Sequence, residues 1–97
     1  MADSNKGTSV EIRVLFFASA REAVGGTAEI KLNLATEQAK TSGVRQRLAE
    51  EYPKLADMVL DEDSITLALN EEYVGVGENI PLKTGDTVAL IPPISGG

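Results

Sequence analysis

The last seven residues, Ile91-Pro92-Pro93-Ile94-Ser95-Gly96-Gly97, carry the chemistry that the rest of the chain lacks. Two glycines without Cβ let the backbone thread a narrow channel and leave the final carbonyl, that of Gly97, open to attack from either side. Pro92 and Pro93 supply no amide donors and hold φ near about −65°, so sheet pairing stops there and the chain leaves extended. The residues beyond Pro92 reach at most about 17 Å, enough to enter another protein's cleft, and stiff prolines reduce the ordering entropy lost on insertion. A bare glycine pair is also what a frayed terminus leaves behind. The prolines and the absence of other chemistry favour a working end, in which Pro92, Pro93, Ile94, Ser95, Gly96 and Gly97 insert into a partner. A free carboxylate resists nucleophiles, so activation at Gly97 must precede any transfer from it.

Composition closes most other routes. The chain holds no cysteine and no histidine, which removes disulfides, thiolate nucleophiles, Cys/His zinc sites and imidazole bases. Nine basic against fifteen acidic side chains give a formal charge of −6, which disfavours nucleic acid or an anionic membrane as partner. The longest apolar runs, Val14-Leu15-Phe16-Phe17-Ala18 and Val88-Ala89-Leu90-Ile91, are too short to cross a bilayer, and the polar start lacks a signal-peptide core. A cytosolic protein is expected.

The remaining polar groups read as ordinary surface. Gly75-Val76-Gly77 lacks the third glycine and the flanking elements of a dinucleotide fingerprint. Asp57, Asp61, Glu62 and Asp63 lack calcium-loop spacing, so no metal site is expected. Lys31, Lys54 and Lys83 are isolated, and Tyr52 and Tyr73 read as packing residues with wet hydroxyls. Arg21 and Glu22 fit a partner contact or a loop ion pair equally well. No catalytic residue is assigned, so acids, bases and oxyanion donors are expected from partners.

The elements that must aim the tail follow from hydrophobic period. With 97 residues and 42% hydrophobic content, one domain with one modest core is expected. Residues 1–8 read as a flexible lead-in, 9–91 as the domain and 92–97 as an extended functional tail. Val10 to Phe17 alternates as a strand, an irregular stretch ends at Gly25-Gly26, and Thr27 to Leu34 alternates again. A short loop joining them makes an antiparallel hairpin. From Thr41 to Tyr52 the period changes, with Val44, Leu48 and Tyr52 four apart and Pro53 as terminator. The helix start within 35–43 is left open. Pro53 to Leu60 adds a short helical turn, Ile65, Leu67 and Leu69 a third strand, Asn70-Glu71 a turn into a brief strand near Tyr73, and Thr87 to Ile91 the last strand.

One main helix covers only one face of a sheet. The expected fold class is therefore α+β, a β-grasp domain of ubiquitin-like kind, with four to five strands of mixed direction packed on that helix. If Val14, Phe16, Ile30, Leu32, Leu67, Leu69, Val88 and Leu90 pack inward, alternation sends Leu15, Phe17, Ala68, Ala89 and Ile91 to the opposite face. That face is either ordinary apolar surface or a protein-docking surface, and its nearness to the tail favours docking.

Val14-Leu15-Phe16-Phe17-Ala18 with Arg21-Glu22, then Leu69-Asn70-Glu71-Glu72-Tyr73-Val74, Gly85-Asp86-Thr87-Val88-Ala89 and the Pro-Pro-Ile-Ser-Gly-Gly ending resemble the small, sulfur-carrying subunits of molybdopterin synthase. The ending is most similar to that of the eukaryotic members. The resemblance implies that a ubiquitin-activating-type adenylyltransferase and sulfurtransferase adenylates Gly97 with ATP and exchanges AMP for sulfur. No cofactor is then held permanently; AMP and sulfur ride as transient covalent adducts of Gly97. It further implies donation to cyclic pyranopterin monophosphate inside the synthase large subunit, in a heterotetramer of two small and two large chains. Three alternatives stay open: a ubiquitin-like protein modifier, a thiamine-pathway sulfur carrier and a passive β-grasp adaptor.

Overall fold

Apolar residues at every second position form β1, Ser9–Phe16, with Ile12, Val14 and Phe16 buried and Glu11 and Arg13 outside. The computed structural model describes residues 9–61 and 63–92. β2, Glu29–Ala35, buries Leu32 and Leu34 and runs antiparallel to β1 in the register Val10↔Leu34 through Leu15↔Glu29. The connection between them is not the irregular short loop that the sequence suggests. It contains α1, Ala18–Ala23, whose six residues are too few to display a helical period beside two alternating strands. Phe17 O accepts from the amides of Ala20 and Arg21 to start this helix. Gly25 and Gly26, at φ 79° and 92°, supply the left-handed backbone that ends it.

A single 3₁₀ turn, Thr36–Gln38, leads from β2 into α2, Thr41–Glu51, which settles the open segment 35–43. Thr41, Gly43, Val44 and Leu48 face the core. Pro53 then opens α3, Pro53–Val59, from a first-turn position where its missing N–H costs nothing. Leu55 and Val59 are buried, so the helical layer holds more than one helix. Tyr52, at the joint, sets its ring edge-on to Phe16, centroids 5.9 Å apart. Arg45 ties α2 to the end of α3 and to the chain just beyond it: Nη1 donates to Val59 O at 2.7 Å and Nη2 to Ile65 O at 3.0 Å.

The remaining strands are β3, Thr66–Leu69, β4, Glu72–Tyr73, and β5, Thr87–Ile91. The five-stranded sheet runs β2-β1-β5-β3-β4, with β1 parallel to β5 and the other neighbours antiparallel. A parallel central pair needs a crossover, and α2 with α3 provide it while covering one face. Val14, Phe16, Leu32, Leu67, Val88 and Leu90 are buried there, whereas Ile30 and Leu69 are only half-buried at its margin. Each fully buried aliphatic side chain contributes roughly 1.5–3 kcal/mol. This is the β-grasp arrangement. Among the described residues no helix is long and apolar enough to cross a membrane. The lead-in expected at 1–8 lies outside the described residues.

Candidate functional site

The strand that carries the tail lies inside the sheet, not at its edge. β5 is bracketed by β1 and β3; Ile91 makes the last pair, with Thr66, and Pro92 after it is buried. The base of the tail is thus clamped by two neighbouring strands. Pro93, Ile94, Ser95, Gly96 and Gly97 lie outside the described residues.

The sheet face opposite the helices is open, and register assembles it. Glu29 lies across from Leu15, Leu15 from Ala89, Ala89 from Ala68 and Ala68 from Tyr73, one row crossing all five strands. Leu15, Phe17, Ala68, Ala89 and Ile91 line one groove of about 630 Å³, as alternation predicts. Alanines make its floor, and Ala68 is only 5% exposed. Phe17, 47% exposed, rises on the tail side. Tyr73, 73% exposed, forms the far wall, which corrects the reading of Tyr73 as a packing residue. An Asn-Glu turn of two residues pairs Ala68 with Tyr73 and so aims that ring outward, a consequence contained in the sequence.

The groove's polar margin also went unread in the sequence. Arg13 lines it and donates Nε and Nη2 to the two carboxylate oxygens of Glu29 at 2.8 and 2.9 Å. Those hydrogen bonds lower the Glu29 carboxyl from its ordinary value; desolvation opposes them, and the charges of Arg13 and then Lys31 add to the lowering. Asn70, Glu71 and Thr87 complete the margin. Arg21 turns back to its own loop, its Nε donating to Gly26 O at 3.1 Å. In the acidic stretch, Asp61 accepts from Asp63 N and from the Ser64 hydroxyl, a turn that shapes the chain locally.

A β-grasp domain with an apolar sheet face at the root of its C-terminal tail is the architecture of ubiquitin-like proteins. Solved structures agree: the Haloferax volcanii HVO 2177 protein superposes with a TM-score of 0.78 at 27% identity, covering 93% of this chain and 89% of that one. Small archaeal modifier protein 1 from Methanosarcina acetivorans gives 0.70 at 31% identity, covering 92% and 98%. The chain belongs to the ThiS family, whose profile matches residues 14–97. Among curated relatives, the molybdopterin synthase sulfur carrier subunit of Aedes aegypti is 41% identical over 91% of this chain and 90% of that protein. The Homo sapiens protein of the same name is 33% identical over 90% and 94%.

Proposed function

We propose that this chain is the sulfur-donating subunit of a molybdopterin synthase, with the carboxyl group of Gly97 as the carrier. The observation that carries the reading is the family match, which extends through Gly97, joined to relatives of that function along nearly the whole chain. In the cycle proposed, a carboxylate oxygen of Gly97 attacks the α-phosphorus of ATP and pyrophosphate leaves. A sulfur nucleophile then displaces AMP from the acyl carbon, leaving a thiocarboxylate. The tail carries that sulfur into the large subunit, where it attacks a carbon of cyclic pyranopterin monophosphate with loss of that carbon's oxygen as water; hydrolysis of the resulting thioester leaves the sulfur on the pterin and returns Gly97 as a carboxylate. Two carriers serve one dithiolene, in a cytosolic assembly of two small and two large chains.

The sheet face is proposed to receive that large subunit. β5 is both the middle of the face and the root of the tail, so a partner that holds the tail covers Leu15, Phe17, Ala68, Ala89 and Ile91. A Helicobacter pylori protein of the same fold, 22% identical with a TM-score of 0.61, is solved as a complex of subunits 1 and 2 of molybdopterin-converting factor.

Intact-mass analysis tests the carrier step. After incubation with activating enzyme, ATP and a sulfur donor, one terminal oxygen is replaced by sulfur; an unchanged mass, under conditions that load a known carrier, rejects the reading. The likeness to a small archaeal modifier supports a second use, joining the same activated carboxyl to a protein lysine. Denaturing gels of cell extract separate the two, since a modifier gives a ladder of conjugates.

A further inference from the structure

Resting on the reading that the open sheet face receives the other synthase subunit, we propose that Asn70 is a positioning residue for docking, which acts by holding Tyr73 as the far wall of the groove. β4 is two residues long and lies at the sheet edge. It is held by the pairs Ala68↔Tyr73 and Leu69↔Glu72 and by Val74 N donating to Leu67 O at 2.8 Å. So short a ladder fixes the angle of a side chain poorly, and the turn before it must supply the rest.

That turn places Asn70 and Glu71 at φ 49° and 77°, the left-handed pair whose twist suits a two-residue hairpin. Asn70 then clasps the entry to β5. Its Oδ1 accepts from Thr87 N at 2.9 Å, its Nδ2 donates to Asp86 Oδ1 at 3.0 Å, and its own N–H donates to Thr87 O at 2.8 Å. Asp86, only 7% exposed, spends its second oxygen on Lys83 N at 2.9 Å. A side-chain amide is the group that supplies donor and acceptor together and tolerates this backbone. The clasp therefore ties the β3–β4 turn to the central strand that leads to the tail.

Its product is the place of one ring. Tyr73 is 73% exposed, so the free chain gains little from where the ring sits. A partner gains more, because a rigid aromatic beside an alanine floor is the type of anchor that dominates interfaces. The occupant fitted to this shape is an apolar ridge of the second subunit, seated over Ala68 and Ala89 between Phe17 and Tyr73.

The test is the affinity of the full chain for the other synthase subunit of the same organism, by calorimetry, with melting temperatures alongside. Tyr73→Ala weakens binding about tenfold. Asn70→Gly, which keeps the left-handed backbone and removes the amide, does the same, and the two together cost no more than Tyr73→Ala alone. Asn70→Asp sets two carboxylates against each other and weakens binding; adding Asp86→Asn restores donor and acceptor in exchanged order and returns affinity to within about twofold. A purely structural role predicts altered melting with unchanged affinity, or losses that multiply in the double variant, and either result overturns the proposal. Should Asn70→Gly not fold, the exchanged pair decides: no recovery rejects the clasp. Leu15→Asp serves as the control for the docking face. Wild-type affinity for that variant refutes the face itself, whereas its loss with Asn70 and Tyr73 variants unaffected refutes the positioning role alone.

Discussion

Glu71 occupies a backbone conformation that favours glycine, φ 77°, at a cost of about 1–2 kcal/mol for an L side chain. Glu71→Gly is expected to raise stability in urea unfolding by about 1 kcal/mol after its own entropic cost, and a loss instead contradicts the strain. Gly43 is the opposite case: a Cβ there runs into the carbonyl of Gln38, so Gly43→Ala is expected to cost about 1–3 kcal/mol by overpacking. At the groove margin the Arg13 pair lowers the Glu29 pKa. A lowered carboxylate pKa stabilises the fold above the unfolded-state value and loses that contribution as pH falls through the folded one. The window is thus acidic, below the ordinary glutamate value near about 4.3. NMR titration checks it: the Glu29 carboxyl titrates below that value in the native chain and returns toward it in Arg13→Gln.

Elements differ in how they are held, and this explains which of them the sequence revealed. β1 and β5 are legible because each residue's face follows from alternation alone. α1 is not, because a carbonyl of Phe17 and two glycines define it rather than a stripe of apolar residues. The start of α2 is capped from far along the chain: Lys40 gives no side-chain cap, while Asn79 Oδ1 accepts from Ser42 N at 3.0 Å and Ile80 O from Thr41 N at 3.0 Å. No local motif encodes such a cap. Asn79→Ala is expected to cost about 1 kcal/mol and to speed amide exchange in the first turn of α2. Unchanged exchange at Ser42 removes the loop from that role.

At the scale of the molecule, one sheet face is covered by the helices and the other lies open, so the core and the proposed docking surface sit on opposite sides of the same strands. A charge placed on the open face leaves the core intact and removes apolar contact, so Ala89→Asp is expected to weaken binding of the large subunit at least tenfold with little change in melting temperature. A residue appended after Gly97 is expected to abolish sulfur loading while circular dichroism stays native, and full activity of that variant is incompatible with a carboxyl carrier.

Sequence alone determined the strands, the main helix, the two faces and the candidate carrier group, because periods of two and four and a terminal Pro-Pro and Gly-Gly are local signals. It also contained the outward aim of Tyr73, through the length of one turn. Tertiary structure decided what depends on distant segments meeting: which strands adjoin β5, how Leu15, Ala89, Ala68 and Tyr73 fall into one row, and how Asn70 reaches Asp86 and Thr87. Pairing energies between strands are small and similar, so their order is fixed only when the helices and the whole buried face close together.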